Sequence, residues 1–222
     1  MSLPSPSEFL YIAVVLAVFL LVAFPIHEFS HALAAYRLGD STAKLFGRLT
    51  LNPFAHFDPV GGTVLAISMV VGFGIGWAKP TPVNPHNLRF GRWGEAIVAA
   101  AGPFSNFVMA AAGAIPLRYI YAAGLEVPFL EGVLKLFVAL NLLLMIFNFV
   151  PIPPLDGSKV LYAFLDPRTA FQVRPFLEQY GFYILLLSIL PLVGGHSLIS
   201  VIFGAILSQL YSLLVGHPFS GL

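Results

Sequence analysis

The sequence contains no cysteine. That excludes disulfides and thiolate ligands, so any bound metal must rest on nitrogen and oxygen donors. Charge is almost as scarce. Asp, Glu, Lys and Arg make up 9% of the 222 residues, against about 25% in an ordinary water-soluble domain. The formal net charge of +1 gives no sign of a nucleic-acid partner. There is no Ser/Gly-rich linker, charge block, low-complexity tract or long soluble stretch, so residues 1–222 read as one domain. What fills the chain is apolar: 58% of the residues are hydrophobic. The composition is that of an all-α polytopic membrane protein, with room for about five to six membrane segments and little outside the bilayer.

The first apolar run, residues 9–26, holds eighteen residues without a charge. It lacks a basic leader, is long for a secretory signal and ends in ionisable residues, so a retained helix is expected rather than a cleaved signal. That helix should start near the Ser/Glu-containing residues 5–8 and stop at Gly39-Asp40, with a kink at Pro25. Residues 41–60 alternate and carry turn residues, which predicts short strands. Residues 61–75 are apolar, short and Gly-rich, and 76–91 form a Pro-rich extended loop. Two further helices are expected over about 92–123, interrupted near Gly102-Pro103 and Pro116, and over about 131–150. The Pro-rich run 151–154 ends the latter abruptly. A short segment (158–165), an amphipathic stretch to 180 and a helical hairpin over about 181–215, split near 191–196, complete the chain, with a catalytic core over about 7–165. Lys and Arg cluster in the 37–60, 76–92 and 156–180 regions. That bias places the N-terminus outside and the far end of helix one towards the cytoplasm, with 61–75 re-entering.

The chemistry sits where helix one meets its charges: Ile26-His27-Glu28-Phe29-Ser30-His31. Residues four apart share a helix face, so His27 and His31 can reach one ion, and Glu28 can hold and deprotonate a water on it. Ionisable groups at membrane depth are costly and mark function. A catalytic zinc needs a third protein ligand. Asp156 is the best candidate, lying after an apolar helix in a Pro-rich break beside Gly157; its plain alternative is a helix N-cap. His56 and Asp58 form a second constellation, either an accessory or regulatory ligand set folded beneath the site or an ordinary interfacial turn. Asn106 and Asn148 stand inside apolar helices, where an amide either bonds a neighbouring helix or supports the site by donating to an oxyanion. Asn148 lies nearer the expected metal.

Three motifs together, HEFSH at 27–31, AGPFSN at 101–106 and NFVPIPPLDG at 148–157, resemble the site-2 protease family of intramembrane zinc metalloproteases. GRLTLNP at 47–53 and GWAKP at 76–80 look like its short prokaryotic members. The resemblance implies one Zn2+ per chain on His27, His31 and Asp156, with Glu28 as catalytic acid/base. It also implies a membrane-spanning protein substrate cut within or near the bilayer of a prokaryotic cell. The motif lies on the first hydrophobic helix, and no PDZ or CBS domain is visible. The rival reading is a membrane metal-ion transporter, which would string ligands along several helices; here the polar groups converge on one place.

Overall fold

The computed structural model describes residues 10, 13–14, 17–70, 79–190 and 197–219. Every regular element among them is helical, with no strand. A π-turn, Phe19–Ala23, leads into α1, Phe24–Arg37. Pro25 explains the junction. It has no N–H to give the preceding turn, so the ladder is disturbed just ahead of it. α1 stops where Gly39 takes φ 107°, in the positive range that only glycine adopts without strain. A side chain there would also press on the Asn87 carbonyl.

The strands expected in 41–60 do not form. Two four-residue helical turns stand in their place, α2 (Thr42–Leu45) and α3 (Pro53–His56). Local capping outweighs alternation. The Asp40 carboxylate accepts from the Thr42 N–H, Asn52 accepts from the Phe54 N–H, and Pro53 presets the first turn of α3. α4, Pro59–Val70, follows, with Asp58 accepting from the Val60 and Gly61 N–H groups at its start. The question of whether 61–75 spans or re-enters falls partly on 71–78, outside the described residues. From 79 the chain is irregular apart from a 3-10 turn at Pro85–Asn87.

α5, Arg92–Ala123, is 32 residues long and runs unbroken through Pro103 and Pro116. The expected interruptions are absorbed within it, and Gly124 in the left-handed conformation closes it. α6 spans Pro128–Asn148, α7 Gly157–Phe164, α8 Pro167–Ile189 and α9 Leu198–Val215. α8 joins the amphipathic stretch and the first arm of the expected hairpin into one helix, with Pro175 inside it. The expected split at 191–196 lies outside the described residues.

α5 is the organising element, contacting α1, α6, α7 and α9. Its first half meets α1, where Ala35, Leu88 and Val98 pack together. Its second half joins α6 and α9 in the main core, built from Ala110, Ala114, Leu117, Val138, Leu142 and Leu207 among others. Among the described residues two helices, α5 and α6, are long and apolar enough to cross a membrane.

Candidate metal centre

α1 delivers His27 and His31 one turn apart, both buried. They face the first half of α5 at Gly102, where the two helices come close. A Cβ at Gly102 would lie 2.6 Å from His27 Nε2 and closer still to His31 Nε2. Only glycine lets the α5 backbone pass here. The third group arrives from the Pro-rich turn after α6. Asp156 occupies the N-cap position of α7 but makes no side-chain cap bond. Its Oδ2 lies instead 3.4 Å from His27 Nε2 and 3.1 Å from His31 Nε2. Gly157 lets the start of α7 sit against the Phe149–Val150 backbone, since a Cβ there would meet the Val150 carbonyl at 2.5 Å.

The remaining ring nitrogens decide what this cluster is. His31 Nδ1 lies 2.7 Å from the Val98 carbonyl. A carbonyl only accepts, so Nδ1 carries a proton, and in the neutral imidazole Nε2 presents a lone pair. For His27 two amides set the orientation. Asn141 Nδ2 donates to the Phe137 carbonyl at 2.9 Å, which turns Asn141 Oδ1 towards Asn106. Asn106 Nδ2 donates to that oxygen at 3.1 Å, so Asn106 Oδ1 faces His27 Nδ1 at 2.5 Å and accepts its proton. In its neutral form His27 likewise presents a lone pair at Nε2. Two lone-pair nitrogens 3.0 Å apart, with a carboxylate oxygen beside both, repel one another unless a cation lies between them. Donors on a tetrahedral zinc at about 2.0–2.1 Å sit roughly 3.3 Å apart, matching the spacing seen here. The donor set fits Zn2+, and hydrogen bonds to both outer nitrogens are the usual device for orienting such ligands.

Glu28 is buried alongside. Its Oε2 accepts from the Thr81 hydroxyl at 2.8 Å and from the Thr81 N–H at 3.2 Å. The loop carrying Thr81 is tied to the end of α1. Arg89 N–H donates to the Leu38 carbonyl, and Asp40 accepts from the Asn84 N–H at 2.7 Å and from Asn87 Nδ2 at 3.1 Å.

His27, Glu28, His31, Asn106 and Asp156 are thus brought together, and three other candidates are not. Asn148 donates to Leu144 on its own helix at 3.0 Å, the structural role open to it in an apolar helix. Asp58 caps α4. His56 is buried, with Nε2 2.9 Å from the Thr50 carbonyl, and its backbone carbonyl accepts from Lys79. Among the described residues the one group of three or more ligating side chains is His27, His31 and Asp156. Asn141, Thr81 and Gly102 have roles that the sequence reading does not assign. Asn141 had a signal, an amide in an apolar helix like Asn106; Thr81, in an irregular loop, had none.

No family model and no solved structure matches the chain. Curated relatives do. "Putative zinc metalloprotease YwhC" of Bacillus subtilis is 36% identical over 188 residues, 82% of this chain and 83% of the relative. "Putative zinc metalloprotease Rip2" of Mycolicibacterium smegmatis is 31% identical over 74% of this chain, and the protein of that name from Mycobacterium tuberculosis H37Rv is 30% identical over 79%. The chain covers 62% and 66% of those two longer relatives. With a relative so similar over most of both lengths, the chain belongs to this family of zinc metalloproteases, peptidases whose cofactor is Zn2+.

Proposed function

We propose that this metalloprotease is of the site-2 type and hydrolyses peptide bonds of membrane-spanning protein substrates, from a multi-pass position with its site towards the cytoplasmic face. The observation that carries the reading is a compact donor set of buried His27 and His31 and half-buried Asp156, with Glu28 beside it, in a bundle that leaves large apolar side chains outward. Phe104, Val108, Ile115 and Tyr119 on α5 are all exposed, as are Phe182 and Leu187 on α8 and Val201, Ile202 and Leu213 on α9. A water-soluble monomer rarely carries so much exposed apolar surface, and lipid accounts for it.

His27, His31 and Asp156 hold the zinc. When bound there, the ion supplies Lewis-acid activation of a water and polarisation of the scissile carbonyl. Asn106, held by Asn141, keeps His27 in its ligating tautomer, and the Val98 carbonyl does the same for His31. Glu28 moves the proton. Thr81 occupies Oε2, which leaves Oε1 to take the proton from the attacking water. As the water oxygen bonds to the carbonyl carbon and the C–N bond breaks, Glu28 returns that proton to the leaving amine.

The test uses the purified chain in detergent, wild type beside Glu28→Gln, Thr81→Val and Thr81→Ser. Bound zinc and cleavage of single-span membrane substrates and of soluble peptides are measured together. Glu28→Gln should keep its zinc and lose roughly 10²–10⁴-fold in activity. Thr81→Val should lose part of kcat, with Thr81→Ser restoring it. Undiminished cleavage by Glu28→Gln sinks its assigned role. Cleavage confined to soluble peptides overturns the intramembrane reading, and zinc flux into proteoliposomes without any cleavage would favour transport instead.

A further inference from the structure

A second feature lies where α5 and α8 begin and α7 ends. There a cavity of about 340 Å³ is lined by Arg92 and Glu95 of α5, Lys159 and Tyr162 of α7, and Phe171 and Arg174 of α8, with small apolar residues between them. In a chain with so few charges, three cations gather here against two carboxylates, Glu95 in the lining and Glu178 paired with Arg174, which leaves one positive charge uncompensated. Arg92 also donates to the Leu165 carbonyl at 2.8 Å. Arg174 pairs with Glu178 at 2.8 Å and stacks over the Tyr162 ring. Lys159, by contrast, is exposed, and its side chain has no hydrogen bond or ion pair among the described residues.

Tyr162 supplies an independent sign. Its side chain is more than nine-tenths buried, yet its hydroxyl has no hydrogen-bond partner. A buried hydroxyl left unmatched costs free energy; among the described residues only His56 Nδ1 shares this condition, and such exceptions point to a missing acceptor or donor. The lining is otherwise largely apolar, and Phe171 stands 82% exposed at its edge. Unpaired cation, unmatched hydroxyl and apolar wall together describe a receptor for a phosphate on an apolar body.

We propose that this cavity binds a phosphate group, with an anionic phospholipid headgroup as its source. Lys159 neutralises the phosphate, Arg92 and Arg174 bracket it, the Tyr162 hydroxyl donates to it, and Phe171 lies along the attached chain. Only the choice of a lipid rests on the membrane reading; the phosphate site rests on the cavity. Lys159 lies one turn from Asp156 on the eight-residue helix α7, so a ligand here braces the element that begins at the metal centre.

The test titrates the full-length chain in detergent with short-chain phosphatidylglycerol and with phosphatidylcholine of the same acyl length, then repeats both with inorganic phosphate present. Wild type should favour phosphatidylglycerol. Lys159→Gln should weaken that lipid about five-fold, the worth of one basic side chain near an anionic surface. Tyr162→Phe, which keeps the ring beneath Arg174, should weaken it by a similar factor. Both variants should bind phosphatidylcholine as wild type does, which shows that they are folded. Displacement of the lipid by millimolar phosphate supports the same site with a soluble phosphate as its ligand; resistance to displacement supports the lipid. No preference for phosphatidylglycerol together with no phosphate binding overturns the proposal, as does unchanged phosphatidylglycerol affinity in both variants. None of these readouts needs protease activity, so the proposal can fail while the catalytic reading stands, and the reverse.

Discussion

The two halves of α5 do different work with nearly the same residues. Residues 94–106 face α1 and the Asp156 turn, and residues 109–120 face α6 and α9; both faces are rich in Ala and Gly. In the second half the neighbours are apolar, and any side chain of the right volume and shape satisfies them. In the first half the neighbours are two imidazoles whose nitrogens must point one way. There the helix supplies a bare glycine, a carbonyl at Val98 and an amide at Asn106, each at a fixed distance. Small residues in the core let helices approach. Small residues at the metal centre leave room for directed polar groups.

One substitution made twice on this helix should separate the two halves most sharply. Gly102→Ala places a methyl among the ligand nitrogens, so zinc content should collapse and activity with it, read by metal analysis of the purified protein. Gly113→Ala meets the Phe137 ring at 2.8 Å and Val138 at 3.2 Å. It should cost about 1–3 kcal/mol of stability by overpacking while leaving zinc bound. If Gly113→Ala also strips the zinc, the halves are not independent.

A second contrast sets a fully buried amide against a fully buried leucine. Leu117→Ala should destabilise the bundle by about 2–5 kcal/mol, seen as a lowered unfolding midpoint, with zinc affinity unchanged. Asn141→Leu keeps the branched shape but releases Asn106, and zinc affinity measured by chelator competition should fall about 10–100-fold. An affinity unchanged by Asn141→Leu would show that the amide relay does not orient His27.

The smallest expected effect concerns the Asp40 clasp, which lies outside the apolar helices. Burial pushes this carboxyl up, but hydrogen bonds from Thr42, Asn84 and Asn87 more than offset that and hold it below the ordinary carboxylate range. It therefore binds fewer protons when folded than when unfolded. Its contribution is present above the unfolded value of about 4 and is lost as pH falls through the lower folded value. Hydrogen exchange in residues 79–91 should rise on acidification in wild type. In Asp40→Asn it should be high already at neutral pH and nearly independent of acid.

Much of the helix plan could be read along the chain. The expected helices at about 92–123 and 131–150 lie close to α5 and α6, because a long apolar run ended by Gly or Pro is a local signal. The strands proposed for 41–60 fail for an equally local reason. Alternation promises a strand only where a partner strand exists, and Asp40, Asn52 and Pro53 cap short helical turns instead. The joining of 167–189 into one helix was hidden because Pro175 reads as a break; it lies inside α8, and the helix runs on through it.

The sequence by itself determined that His27 and His31 share a face, that Glu28 stands next to them, and that Asp156 follows an apolar helix in a Pro-rich break. These are matters of spacing over a few residues, fixed by helix geometry and by proline. Only the tertiary structure decided which groups complete them: Asn106 against His27, Asn141 behind Asn106, Val98 against His31, Thr81 against Glu28. Those partners lie 35 to 79 residues apart in the chain. No periodicity carries information over such distances; it is packing around α5 that brings one amide, rather than another in the same kind of helix, to the ring nitrogen that needs it.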